Sequence, residues 1–139
     1  MHYWDASAIV RLCVQENSSA RLRALASAEP IVTWCLSAIE VRSGIERRAR
    51  DGALKPDARE KALAGLRELA EAWTEVATIG SVRERALRLL SVHALRAADA
   101  IQLAAALVVA EDQPAGRSFV SSDGRLRAAA EREGFLVVG

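Results

Sequence analysis

Cysteine and histidine are nearly missing from this chain of 139 residues: Cys13, Cys35, His2 and His93 are all there is. That excludes a disulfide framework, and no Cys or His pair has the spacing of a zinc site. Both thiols are expected as buried and free. Lysine is equally scarce, at two residues, Lys55 and Lys61, against 17 arginines. With no lysine late in the chain, a receiver domain and a haloacid-dehalogenase-like phosphatase each lose a required cation. The phosphatase also lacks its second opening Asp, since Ser7 stands there. No glycine-rich phosphate loop is present, and Ser7 has no neighbouring base for Ser–His–Asp catalysis. Aromatic residues make up only 4% of the chain, so Trp4, Trp34 and Trp73 are read as core filling. The longest nearly apolar run, residues 100–110, is broken by Gln102 and too short to cross a bilayer. The opening Met1-His2-Tyr3-Trp4-Asp5 has neither a positive segment nor a small-residue cleavage site. A soluble, cytoplasmic protein is expected, with no membrane partner. The net charge of +1 provides no global field for nucleic acid.

What the chain has in quantity is alanine, 28 residues, the strongest helix former. Apolar runs of strand length alternate with helical stretches. Strands are expected near 2–4, 31–34, 75–79, 118–121 and 135–138. Helices are expected near 7–15, 19–28, 36–50, 56–73, 81–93, 98–111 and 124–132. Gly52 and Pro56 bracket the turn of a long helical hairpin, with Pro56 opening its second arm. Gly80-Ser81 and Gly134 read as helix boundaries. The length suits one domain, 1–139, and the alternation predicts an α/β fold: a parallel sheet covered on both faces. In such sheets ligands bind beyond the carboxyl ends of the strands, where the strand order reverses.

Four acids are candidates for that position. Asp5 follows the first strand directly, and Asp123 follows the fourth across Ser122. Asp99 lies in the first turn of the alanine-rich helix, and Glu40 shares a helical face with Leu36, Ser37, Ser43 and Gly44. Each also has a plain structural reading. Asp5 or Ser7 can cap a helix, Asp99 complements a helix dipole, Asp123 is an ordinary turn residue, and Glu40 can pair with Arg42 or Arg47. Together they point elsewhere. Two carboxylates ~5 Å apart repel by about 3 kcal/mol at an effective dielectric near 20. A cluster therefore needs raised pKa values or a bound cation. All-oxygen ligands favour Mg²⁺ or Mn²⁺, and the chemistry that follows is phosphoryl-ester hydrolysis. Arg42, Arg47, Arg48 and Arg50 form a local cationic cluster moderated by Glu46, with phosphate contact one option and a solvated face the other.

At these residues the sequence resembles the PIN-domain nucleases of the bacterial VapBC toxin type. Tyr3-Trp4-Asp5-Ala6-Ser7-Ala8 is similar to the family's strand-end Asp with Ser or Thr two residues on. Ser37-Ala38-Ile39-Glu40-Val41 resembles its helical Glu segment. The run from Leu95 to Ala104, with Ala98-Asp99-Ala100 at its centre, is the most specific match. Phe119-Val120-Ser121-Ser122-Asp123-Gly124 resembles the last strand and fourth acid. Ser121 stands where Thr is common, and Gln102 where His is common. The resemblance implies a three-layer α/β/α domain with sheet order 3-2-1-4-5. It implies an RNA-cutting toxin dependent on Mg²⁺ or Mn²⁺, leaving a 5′-phosphate and a 3′-hydroxyl. It further implies a homodimer and an antitoxin that blocks the site. Asp5 and Asp99 would be direct metal ligands, with Asp123 and Glu40 binding a second ion or orienting water. Ser7 and Ser121 would steer oxygens, and Arg96 and Arg42 would contact RNA. The alternative is a catalytically idle scaffold that only binds protein.

Overall fold

A computed structural model describes residues 2–15 and 19–139. In chain order the elements are β1 (His2–Trp4), α1 (Ala6–Val14), α2 (Ala20–Ala28), β2 (Ile31–Trp34), α3 (Ser37–Arg50), α4 (Pro56–Ala72) and β3 (Thr74–Val76). They continue as α5 (Ile79–Val92), α6 (Ala97–Val109), β4 (Ser118–Val120), α7 (Gly124–Glu133) and β5 (Leu136–Val138). The five strands form one parallel sheet in the order β3-β2-β1-β4-β5. The order reverses between β1, which is paired with β2, and β4, so the carboxyl ends of β1 and β4 are where a ligand is expected.

Strand alternation sorts the core into two halves. Tyr3 and Phe119, neighbours in register, both turn to one face, and their rings stack with centroids 5.6 Å apart. There they meet Leu89, Leu103, Ala104 and Leu126 from α5, α6 and α7. The next residues in each strand, Trp4 and Val120, turn to the other face and pack on Ile9, Val41, Ile45, Leu63 and Trp73. Tyr3, Trp4, Phe119 and Val120 are fully buried. At about 25 cal/mol per Å² of apolar surface, they anchor the two central strands more firmly than the short ladders do. All three tryptophans lie in this core.

The expected elements are all present, with two corrections. The third strand ends at Val76, and Ile79, expected as its last residue, is the first residue of α5 behind the cap Thr78. Gly80 therefore lies within the first turn of α5 and is not its boundary. Ile79 is 62% exposed, so its apolar character marks neither strand nor core. Gly134 does end α7, in the left-handed conformation at φ 108° that suits glycine. Cys13 is buried, but Cys35 is only half-buried. No helix among the described residues is long and apolar enough to cross a membrane.

Candidate active site

β1 and β4 end in the same way. Each strand is followed by an aspartate in extended conformation that caps the next helix. The Asp5 carboxylate accepts a bond from the Ala8 amide at 3.3 Å, opening α1. Asp123 Oδ1 accepts from the amides of Arg125 and Leu126 at 2.9 and 3.1 Å, opening α7. The cap of α1 is thus Asp5, and Ser7 lies inside the helix.

Two serines join the strand ends across the reversal point. Ser7 Oγ lies 2.8 and 3.0 Å from the two Asp5 oxygens, to which it donates. It accepts from the Ser122 amide at 2.9 Å and sits 3.4 Å from Ser121 Oγ. Ser121 Oγ in turn accepts from the Asp123 amide at 3.1 Å. Ser7 and Ser121 therefore fix the spacing of the Asp5 and Asp123 backbones. Asp5 itself is almost dry, 4% exposed. Burial pushes its pKa up to about 7, although Ser7, the Ala8 amide and Ser121 pull the other way.

Glu40 reaches the same place from α3. Gln102, only 1% exposed on α6, spends both amide protons there, one on Glu40 Oε1 at 3.1 Å and one on Ser37 Oγ at 3.0 Å. Its Oε1 accepts from Tyr3 at 2.7 Å. Thr33 Oγ1 lies 2.7 Å from both the Trp4 carbonyl and Ser37 Oγ. A hydroxyl has one proton, so Thr33 donates to the carbonyl and accepts from Ser37. The chain from Gln102 to Trp4 is then fully satisfied, as a buried polar network must be. Glu40 is paired with neither Arg42 nor Arg47. Its pKa is raised, first by burial and then by Asp99, against the Gln102 bond. Asp99, in the first turn of α6, is also raised, by burial and by Asp123, with Arg96 and Arg125 opposing.

Asp5, Glu40, Asp99 and Asp123 all line one cleft of approximately 680 Å³. Arg11, Arg47 and Arg48 line it as well. Arg96 lies in an adjoining cleft with Asp99, Asp123 and Arg125. Arg42 is on neither; it pairs with Glu46, 3.2 Å away on the same helix. Helical spacing holds the signal for this: residues 44, 47 and 48 share the face of Glu40, whereas 42 does not. No group of three or more His, Cys, Asp or Glu side chains among the described residues is placed to hold an ion unaided. The donors are nevertheless of the right chemistry for a hard divalent cation, which takes few carboxylates and keeps water and phosphate as its other ligands. A carboxyl raised to about 7 in a dry position is a group that gains from such a charge.

The fold and the cleft have counterparts among known proteins. The PIN domain family model matches residues 3–132, a span from β1 to α7 that holds all four acids. The chain belongs to the PIN-domain family. Its relatives include Ribonuclease VapC45 and Ribonuclease VapC49, from two strains of Mycobacterium tuberculosis. Each is 33% identical over 110 residues, covering 78% of this chain and 76% of the relative. This PIN domain is thus of the VapC type.

Proposed function

We propose that this protein is the toxin of a type II toxin–antitoxin pair, an endoribonuclease dependent on Mg²⁺, with Mn²⁺ as a substitute. The observation that carries the reading is the gathering of four carboxylates from four separate elements into one cleft, with the deepest of them raised to about 7. Charges so arranged repel one another and destabilise the fold unless a cation or a proton offsets them. The names of the two relatives supply the substrate class.

In this reading Asp5 and Asp99 hold the principal cation, and Asp123 and Glu40 hold a second one or orient the attacking water. When bound, a divalent cation offsets phosphoryl charge and makes water a better nucleophile at neutral pH. Ser7 keeps Asp5 in one rotamer, so the carboxylate lone pairs are aimed before substrate arrives. Gln102 does the same for Glu40. Ser121 fixes the turn that presents Asp123. Water adds to phosphorus, the bond to the 3′-oxygen breaks, and the proton ends on that oxygen, giving a 5′-phosphate and a 3′-hydroxyl. Arg96 is placed to meet a phosphate beside Asp99; Arg42 is assigned only an outlying contact with RNA. A cytoplasmic homodimer silenced by an antitoxin seated in the cleft completes the proposal. The apolar side chains that α5 leaves exposed, Ile79, Leu87 and Val92, support the dimer.

The test is cleavage of pooled cellular RNA by partner-free protein with Mg²⁺, Mn²⁺ or EDTA, beside Asp99→Asn. Discrete cuts that need metal and fall by about 100-fold or more in the variant are expected. Well-folded protein that cuts under no condition, or a variant that cuts normally, overturns the assignment.

A further inference from the structure

We propose that Arg11, Arg47 and Arg48 form a phosphate track, which holds the backbone of a single-stranded polynucleotide along the α1–α3 wall of the cleft. The identity of the polyanion rests on the nuclease reading; the track itself rests on how charge is distributed. Three of the carboxylates stand at the strand ends and the start of α6 and the fourth, Glu40, in the first turn of α3, whereas these three cations stand on α1 and further along α3 and line the same space. Arg47 and Arg48 lie two turns beyond Glu40 on one helical face. Ser43 and Gly44 fill the turn between with almost no side chain. A Cβ on Gly44 would lie 2.8 Å from Val10 Cγ2, so the two helices approach closely there. That approach places the Arg11 wall next to the Arg48 wall. Arg47 is exposed and makes no ion pair among the described residues.

The opposite flank points to an extended ligand. Arg96 and Arg125 line the adjoining cleft beyond Asp99 and Asp123. Cations therefore stand on both sides of the acids, and a chain of phosphates crossing the acids meets guanidinium groups before and after. A small anion would need only one flank. Guanidinium forks match phosphate oxygens in pairs, and with only two lysines in the chain this role falls to arginine. Arg50 belongs to the same helix yet does not line the cleft, which provides an internal control.

The experiment measures binding of a labelled single-stranded RNA of roughly twelve nucleotides by anisotropy, over a range of KCl. The full chain carries Asp99→Asn so that the RNA stays intact. Arg47→Gln with Arg48→Gln is expected to weaken binding about tenfold or more near 0.1 M salt. The slope of log affinity against log salt should become shallower by about 1.4, at about 0.7 for each phosphate that is no longer neutralised on a single strand. Arg50→Gln with Arg132→Gln removes the same charge elsewhere and is expected to change affinity less than about twofold. If the first double variant does not fold, Arg47→Gln alone serves, with a slope change of about 0.7. Equal weakening in the two double variants, or none in the first, overturns the track. So does a poly-glutamate peptide that competes as well as RNA of equal charge, because the wall would then belong to an acidic protein segment. RNA bound through the track but left uncut, with every metal tried, by the chain that keeps Asp99 would remove the nuclease reading and leave the track. Metal-dependent cutting with affinity indifferent to Arg47 and Arg48 would do the reverse.

Discussion

The two ends of the reversal point, β1 with Asp5 and β4 with Asp123, are built alike and behave differently. Both present an aspartate as the cap of the following helix, and both aspartates line the cleft. Asp123 places two short backbone bonds on one oxygen and stays partly in water. Asp5 has one long backbone bond, at 3.3 Å, and almost no water. Its other supports, the hydroxyls of Ser7 and Ser121, are not enough to offset dehydration, since its pKa still rises to about 7. A cap motif by itself therefore says little about chemistry. Burial, and not the cap, is what holds the Asp5 carboxylate against its preference.

The largest test of that difference is to neutralise each in turn without metal. The folded state binds the Asp5 proton more tightly than the unfolded chain, whose ordinary value is 3.8. The stability this group contributes is therefore fully present below that value. It is lost as pH rises through about 7. The gap between the two values corresponds to on the order of 4 kcal/mol. Asp5→Asn should raise stability at about pH 8 by up to that amount, read by urea unfolding in EDTA, and should flatten the acid-side pH dependence. Asp123→Asn should not. A stabilising Asp123→Asn, or a neutral Asp5→Asn, would erase the contrast.

Metal binding sharpens the contrast next. A cation that takes up the Asp5 carboxylate must displace its proton. Apparent affinity for Mg²⁺ or Mn²⁺ should then rise by up to about tenfold per pH unit below about 7 and level off above it. Calorimetric titration at several pH values measures this directly. Asp123→Asn should weaken binding and keep the slope, whereas Asp5→Asn should lose both.

Much of this is legible in the sequence because it is local. Short strands rich in apolar residues, Pro56 at a helix start and Gly134 at a helix end are short-range signals, and they suffice to place the elements. The four acids stand out because three of them sit at element ends and Glu40 faces Ser43 and Gly44. The expected strand at 75–79 runs too far because Ile79 continues an apolar pattern that solvent exposure, invisible in sequence, interrupts. Gln102 reads in sequence only as a replacement for a commoner residue. Its partners Tyr3, Ser37 and Glu40 come from three other elements, so its role appears only when the sheet is assembled. Nearness in sequence to Glu40 favours Arg42 as an RNA contact, where helical periodicity favours Arg47 and Arg48.

Gln102 gives the third test, in which the Glu40 side of the cleft is loosened while the Asp5 side is untouched. Gln102→Leu keeps the volume but leaves Tyr3 Oη and Ser37 Oγ each short of a buried partner. The expected cost is about 1–3 kcal/mol of stability. RNA cleavage should fall further than stability alone explains, because Glu40 loses the bond that orients it. Gln102→His, which keeps a donor, should recover part of the activity. Full activity in Gln102→Leu would mean that Glu40 needs no orientation.

The smallest effect is the most discriminating, because it asks whether Asp123 is only a cap. Asn accepts backbone bonds at a cap nearly as well as Asp, so Asp123→Asn should cost stability only through the lost attraction between its charge and the start of α7, about 0.3–1 kcal/mol. Both of its bonds fall on Oδ1, which leaves Oδ2 for a ligand. If Asp123 works in the cleft, that small loss of stability must accompany a loss of cleavage of at least about tenfold. Asp123→Ser retains a capping oxygen but no second one, and it should reproduce the activity loss with α7 intact by circular dichroism. Retained cleavage in both variants would make Asp123 a structural cap and leave Asp5, Glu40 and Asp99 as the working set.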